Sequence, residues 1–138
     1  MYIEIIQNTN KDIKEGAVFN ETGIIGQVVN NKSFYEVMLL TDTKSSIPLT
    51  NSKGDFYCNA SGSGASDYIT CSYSQLVWLD NHELGEKFFS SGLGGIYPKG
   101  IEIGNLESIK IVDTSTTLLT IKLISNPLHS NLFGVIKL

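Results

Sequence analysis

Residues 90–104 read SSGLGGIYPKGIEIG, and this stretch decides which fold class the chain can adopt. A helix cannot run through it, because glycine favours positive φ or close backbone approach while proline fixes φ and lacks a donor. We therefore expect a shaped loop between two strands, at residues 86–90 and 101–106. The residues predicted to set its structure are Gly92, Gly94, Gly95, Pro98 and Gly100.

Outward from this loop, short apolar runs alternate with turn clusters at a spacing of roughly 8 to 12 residues, which is typical of sandwiches and barrels. No window shows a convincing helical period. The sequence predicts an all-β chain with two small barrel-like domains of short antiparallel strands. We expect residues 1–51 plus 125–138 to form the first domain and residues 52–124 the second. Pro48 predicts an edge or irregular strand, since proline cannot donate to a ladder.

The composition excludes several partners. A formal net charge of −4 and a pI near 5.0 argue against nucleic acid or anionic lipid as the main partner. No apolar run reaches the roughly 18 residues of a membrane-spanning helix. No signal peptide is visible, because Met1 is followed directly by an alternating strand pattern. We expect no cofactor and no metal site.

Two cysteines flank a glycine- and serine-rich stretch at residues 61–66. A hairpin that turned between Gly64 and Ala65 would place Cys58 directly opposite Cys71, close enough for a disulfide. A register slip of one residue would separate them, and two free thiols would result. Both interpretations stay open from the sequence.

Catalytic patterns are scarce. A serine hydrolase could be assembled on paper from a serine, with His82 or His129 as the base and Asp42 or Asp80 to orient it. However, no serine lies in a nucleophile-elbow pattern, except for the flexible stretch at residues 62–64. No phosphate-binding loop pattern occurs either. We expect that the chain is not an enzyme, and that both histidines are loop residues.

Large side chains on strands and tight loops are the remaining candidates for a function. Neighbours such as Phe34/Tyr35 and Phe88/Phe89 point to opposite sides of a strand, so one member of each pair faces outward or into a second core. Outward aromatic side chains are typical of partner contacts. The predicted partner-binding residues are Phe34, Tyr35, Trp78, Phe88, Leu93, Ile96 and Tyr97.

Taken together, these segments resemble the periplasmic region of the MreC family, the bacterial rod-shape-determining proteins. Residues 91–104 match the family's long glycine motif nearly throughout. Earlier segments, GAVF at 16–19, GIIGQVV at 23–29 and VMLLTD at 37–42, resemble its opening strands. The resemblance extends over roughly residues 10 to 138.

The resemblance implies a non-enzymatic periplasmic scaffold of the rod complex, or elongasome, acting in cell shape and peptidoglycan synthesis. It implies binding to a class B penicillin-binding transpeptidase, association with MreD and MreB, and self-association. It also implies anchoring to the inner membrane through an N-terminal helix outside this sequence.

A second hypothesis is a β-barrel module that binds cell-wall glycan or peptide. Such a module needs an aromatic platform with polar neighbours, and Trp78 with Asp80 and His82 is the best candidate for it.

Overall fold

The computed structural model describes residues 1–4, 15–31, 34–74, 82–129 and 132–137, and these ranges contain strands and turns without a helix. None of the described segments is therefore a helix that could cross a bilayer. The all-β prediction is confirmed. The strands are β1 (Tyr2–Glu4), β2 (Ala17–Asn20), β3 (Gly23–Asn31), β4 (Phe34–Leu39), β5 (Ser46–Asn51), β6 (Tyr57–Gly62), β7 (Tyr68–Ser74), β8 (Lys87–Ser90), β9 (Glu102–Ile111), β10 (Thr116–Leu123) and β11 (Gly134–Ile136).

Six of these strands form a closed antiparallel barrel in the order β10-β7-β6-β5-β8-β9. Alternation along β10 shows why it closes around a core: Leu119 and Ile121 are fully buried, whereas Lys122 is exposed. Closure removes the unpaired strand edges that an open sheet would carry.

The other five strands form an antiparallel sheet in the order β1-β4-β3-β2-β11. One of its faces carries a second apolar core of Val18, Ile25, Val28, Tyr35 and Val37. Strands β1 and β11 are the two edges of this sheet and contain only three residues each.

The boundary between sheet and barrel differs from the sequence-based one. The sequence placed residues 46–51 in the first domain, but β5 pairs with β6 and β8 inside the barrel. Pro48 is tolerated there because β8 pairs with β5 only from Leu49 onward, so the missing donor interrupts no β5–β8 hydrogen bond. At the other end of the chain, β11 pairs with β2 in the sheet.

Polar side chains connect the end of β2 to the segment that follows β10, the last strand of the barrel. The Asn20 Nδ2 group donates to the Asn126 carbonyl oxygen at 2.7 Å, and the Asn126 amide donates to Thr22 Oγ1 at 2.8 Å. The barrel core also includes Ala17 and Ile24 from the sheet. The two parts therefore share apolar contacts as well as hydrogen bonds.

Candidate partner-binding surface

The glycine loop, residues 91–100, is anchored to the barrel by one buried serine. The Ser90 hydroxyl donates to the Pro98 carbonyl oxygen and accepts from the Ile101 amide at 3.0 Å. The Gly100 amide donates to the Ser90 carbonyl oxygen at 2.8 Å. Four of the five predicted loop residues, the glycines, have positive φ between 73° and 84°. The loop is therefore held in one shape by backbone bonds across its base.

Gly92 shows why this shape needs glycine. Its φ is +81°, and a Cβ placed there would lie 2.8 Å from the Lys99 Cβ. The two ends of the loop thus pack directly on each other, which leaves Leu93 and Lys99 exposed on the outside.

Tyr97 lies at the junction of the barrel and the sheet. Its side chain is buried in the barrel core, and its hydroxyl donates to Gln27 Oε1 of β3 at 3.1 Å. Burial raises the pKa of the Tyr97 phenol well above its usual range. Tyr97 was predicted to contact a partner, but its side chain is buried and presents no surface to one in this structure.

The raised pKa predicts a specific pH dependence. Because the unfolded chain releases the phenol proton near pH 10 while the folded chain retains it, the stability that Tyr97 contributes is complete below about pH 10 and falls above it. Urea unfolding of wild type and Tyr97→Phe between about pH 8 and 11 tests this. Above about pH 10, the free energy of unfolding should fall more in the wild type than in Tyr97→Phe. A difference that stays constant across this range would contradict the prediction.

The two aromatic pairs divide as the strand geometry requires. Phe34 is about half exposed, whereas Tyr35 lies in the core of the sheet. Phe88 is fully buried, whereas Phe89 is partly exposed on the outside of the barrel. Tyr35 and Phe88 were predicted as partner contacts, and their burial excludes both as surface anchors in this structure.

The other predicted partner residues lie in different surroundings. Leu93 is 59% exposed, and Ile96 is partly buried against the barrel core. Trp78 lies outside the described residues. Partner binding by Phe34, Leu93 and Ile96 stays a prediction.

His82 does not belong to an exposed platform. Its side chain is only 4% exposed, and its ring centroid lies 4.4 Å from that of Phe56 and 5.5 Å from that of Tyr73. Its Nδ1 atom lies 2.8 Å from a Glu86 carboxylate oxygen, and its Nε2 atom has no hydrogen-bond partner among the described residues. The glycan hypothesis needs His82 at the surface, and Asp80 lies outside the described residues.

Cys58 and Cys71 form a disulfide, with Cα atoms 6.3 Å apart. The sequence suggested that the two cysteines lie directly opposite each other, but Cys71 pairs with Ala60 instead. The turn lies further along the chain because Ser63 closes it onto the Tyr68 carbonyl oxygen at 2.7 Å. An offset of two residues keeps both sulfur atoms on one face, whereas an offset of one would have separated them.

Sequence reasoning missed a row of side chains on the outer face of the barrel. The register pairs Tyr57 with Thr50 and Thr50 with Phe89, so two aromatic side chains flank one threonine. Tyr57 is 44% exposed. Alternation within β8 places Phe89 on the face opposite to Phe88, but only the burial of Phe88 and Ser90 shows that this face is the outer one. The cross-strand neighbours are not visible in the sequence.

The described residues thus form an all-β module whose conspicuous features are a shaped loop and an aromatic outer face. A family model described as "Rod shape-determining protein MreC, barrel core" matches residues 2–137. The chain belongs to the MreC family, which confirms the resemblance seen in the sequence.

Individual relatives agree with this assignment. The chain is 32% identical over 112 residues to the cell shape-determining protein MreC of Haemophilus influenzae, covering 77% of this chain and 31% of that protein. The chain thus spans less than a third of that relative's length. A solved structure named MreC superposes with a TM-score of 0.76 at 23% identity, covering 87% of this chain and 68% of that one. A chain in a structure titled as the complex between penicillin-binding protein PBP2 and MreC from Helicobacter pylori has a TM-score of 0.61 at 13% identity, covering 91% of this chain and 99% of that one.

Proposed function

We propose that this chain is the partner-binding module of a non-enzymatic scaffold in the bacterial rod complex, or elongasome. In this role it acts in cell shape and peptidoglycan synthesis by binding a class B penicillin-binding transpeptidase. The observation that carries the proposal is membership of the MreC family over nearly the whole chain. The Helicobacter pylori complex supports it, because its title names a penicillin-binding protein together with MreC.

The surroundings of the histidines support a role without catalysis. The His82 imidazole is enclosed by aromatic rings and paired with Glu86, so it cannot reach a substrate as placed. His129 is exposed, and its Nε2 atom lies 3.1 Å from a Glu21 carboxylate oxygen on the surface. Neither arrangement provides a base next to a nucleophile, which a hydrolase requires.

Self-association and contacts with MreD and MreB belong to the proposed role of the whole scaffold. Support for self-association comes from the sheet, whose edge strands β1 and β11 each have a neighbouring strand on one side only among the described residues. The acidic balance of the chain, −4, supports a partner other than nucleic acid.

We place the module in the periplasm, anchored to the inner membrane in the complete protein through an N-terminal helix. The Cys58–Cys71 disulfide supports this location, since disulfides persist in oxidising compartments such as the periplasm.

Calorimetric titration of this chain with the transpeptidase ectodomain from the same cell tests the proposal. We expect binding that saturates at one chain per ectodomain. Light scattering of the chain alone, over a range of concentrations, measures self-association separately. Absence of any binding heat, with both proteins folded by circular dichroism, would contradict the scaffold role for this module.

A further inference from the structure

A groove of about 600 Å³ lies on the outer face of the barrel, between the β5–β6 turn and the glycine loop. Its floor is the row formed by Tyr57, Thr50 and Phe89, in which the two aromatic side chains lie on β6 and β8, the strands on either side of β5. The residues that define the floor and both walls are Thr50, Lys53, Tyr57, Phe89, Leu93 and Lys99.

The first wall is the β5–β6 turn, and one buried amide side chain holds it in place. Asn51 Oδ1 accepts from the Asp55 amide at 3.1 Å and from the Phe56 amide at 3.3 Å. Asn51 Nδ2 donates to the Asp55 carboxylate at 2.6 Å. These bonds hold the backbone of the turn in one conformation, which places Lys53 at the rim of the groove.

The second wall is the glycine loop. Ser90, which pairs with Leu49 of β5, anchors this loop as Asn51 anchors the turn. The packing of Gly92 on Lys99 brings the Lys99 stem and Leu93 to the groove side. Both walls are thus preformed, which lowers the entropy that a bound segment has to offset.

The charge of the groove is opposite to that of the whole chain. Its described lining residues include Lys53 and Lys99 but no carboxylate, on a chain of net charge −4. Neither lysine is in an ion pair among the described residues. Of the nearby carboxylates, Glu102, which pairs with Phe89 across the strands, lies 3.4 Å from the Lys87 ammonium, and Asp55 accepts a hydrogen bond from Asn51 within the turn.

These features favour a peptide over a sugar as the occupant. Amide and carboxylate side chains are suited to binding glycan hydroxyls, but the described lining has no carboxylate. Its one amide side chain, Asn51, is buried and makes three hydrogen bonds within its own turn. Aromatic and leucine side chains between two lysines instead match a segment that carries apolar and carboxylate side chains.

We propose that this groove is where the chain binds its penicillin-binding protein, through an acidic segment of that partner with at least one large apolar side chain. This inference rests on the proposed function, since it locates the same contact. In it, the apolar side chain packs on Tyr57 and Phe89 while carboxylates contact Lys53 and Lys99.

Surface plasmon resonance with the transpeptidase ectodomain tests the inference on wild type, Lys53→Glu/Lys99→Glu and the control Lys122→Glu. Lys122 is exposed on β10, three strands from β5 in either direction around the barrel. We expect at least tenfold weaker binding for the double variant and less than twofold change for the control. Added salt should weaken wild-type binding more than that of the double variant. All three substituted side chains are exposed, so unfolding temperatures should stay equal.

The possible outcomes separate this inference from the proposed function. If the wild type binds and the double variant binds within twofold, the groove assignment is wrong while the scaffold role stands. If the wild type does not bind at all, both fail. If soluble muropeptides bind wild type but not the double variant, while ectodomain binding is unchanged between them, the groove is a glycan or stem-peptide site and the inference is overturned.

Discussion

Replacement of Tyr97 by alanine is expected to lower the free energy of unfolding by about 3–5 kcal/mol, the usual range for deletion of a buried aromatic side chain. The reason is its position: only 1% of Tyr97 is exposed, and it packs in the barrel core while its hydroxyl reaches Gln27 of the sheet. The variant loses both the core contact and the bond that connects the glycine loop to the sheet. Urea unfolding followed by circular dichroism measures the loss.

Two further variants separate the causes. Tyr97→Phe keeps the ring and removes only the bond to Gln27, so we expect a loss of about 1 kcal/mol. Leu93→Ala changes an exposed side chain of the same loop and should stay within about 0.5 kcal/mol of wild type. If Tyr97→Ala retained wild-type stability but lost partner binding, Tyr97 would be a contact residue and its placement in the core would be wrong.

Reduction of the Cys58–Cys71 disulfide is expected to lower the free energy of unfolding by about 2–4 kcal/mol. The bond joins β6 to β7 across a sequence separation of 13 residues. Its loss therefore increases the conformational entropy of the unfolded chain in this segment. Cys71 is fully buried, which keeps one sulfur atom within the barrel core. Urea unfolding with and without dithiothreitol measures the effect.

Cys58→Ala/Cys71→Ala is the matched control, because the reductant should not change its unfolding midpoint. Mass spectrometry after alkylation counts the free thiols before reduction. Two free thiols in the protein as purified from an oxidising compartment, or equal midpoints with and without reductant, would show that the disulfide does not contribute as described.

The fold class was predictable because its signals are local. Alternation of apolar and polar residues in β10 and the glycine run at residues 91–100 each need only a short window to be recognised. Membership of β5 in the barrel was not predictable in the same way. Pro48 by itself predicts an edge strand. A proline fits inside the barrel because β8 pairs with β5 only at residues 49–51, and this pairing is not visible in the sequence.

The candidate site was less predictable, since it depends on contacts between distant segments. The sequence shows that Phe88 and Phe89 face opposite ways but not which one faces inward. The hairpin register was missed by two residues because a serine side chain closes the turn. The groove joins residues 50–57 with residues 89–100 through the pairing of β5 with β8, which no local pattern reveals.

Hydrogen–deuterium exchange of this chain, alone and saturated with the transpeptidase ectodomain, tests the central claim most directly. The claim is that the outer barrel face between the β5–β6 turn and the glycine loop receives the penicillin-binding protein. We predict slower exchange on binding at residues 52–57 and 92–100, with no change in β10 on the opposite side of the barrel. Unchanged exchange throughout the chain at saturating ectodomain, or protection confined to β10, would contradict the account.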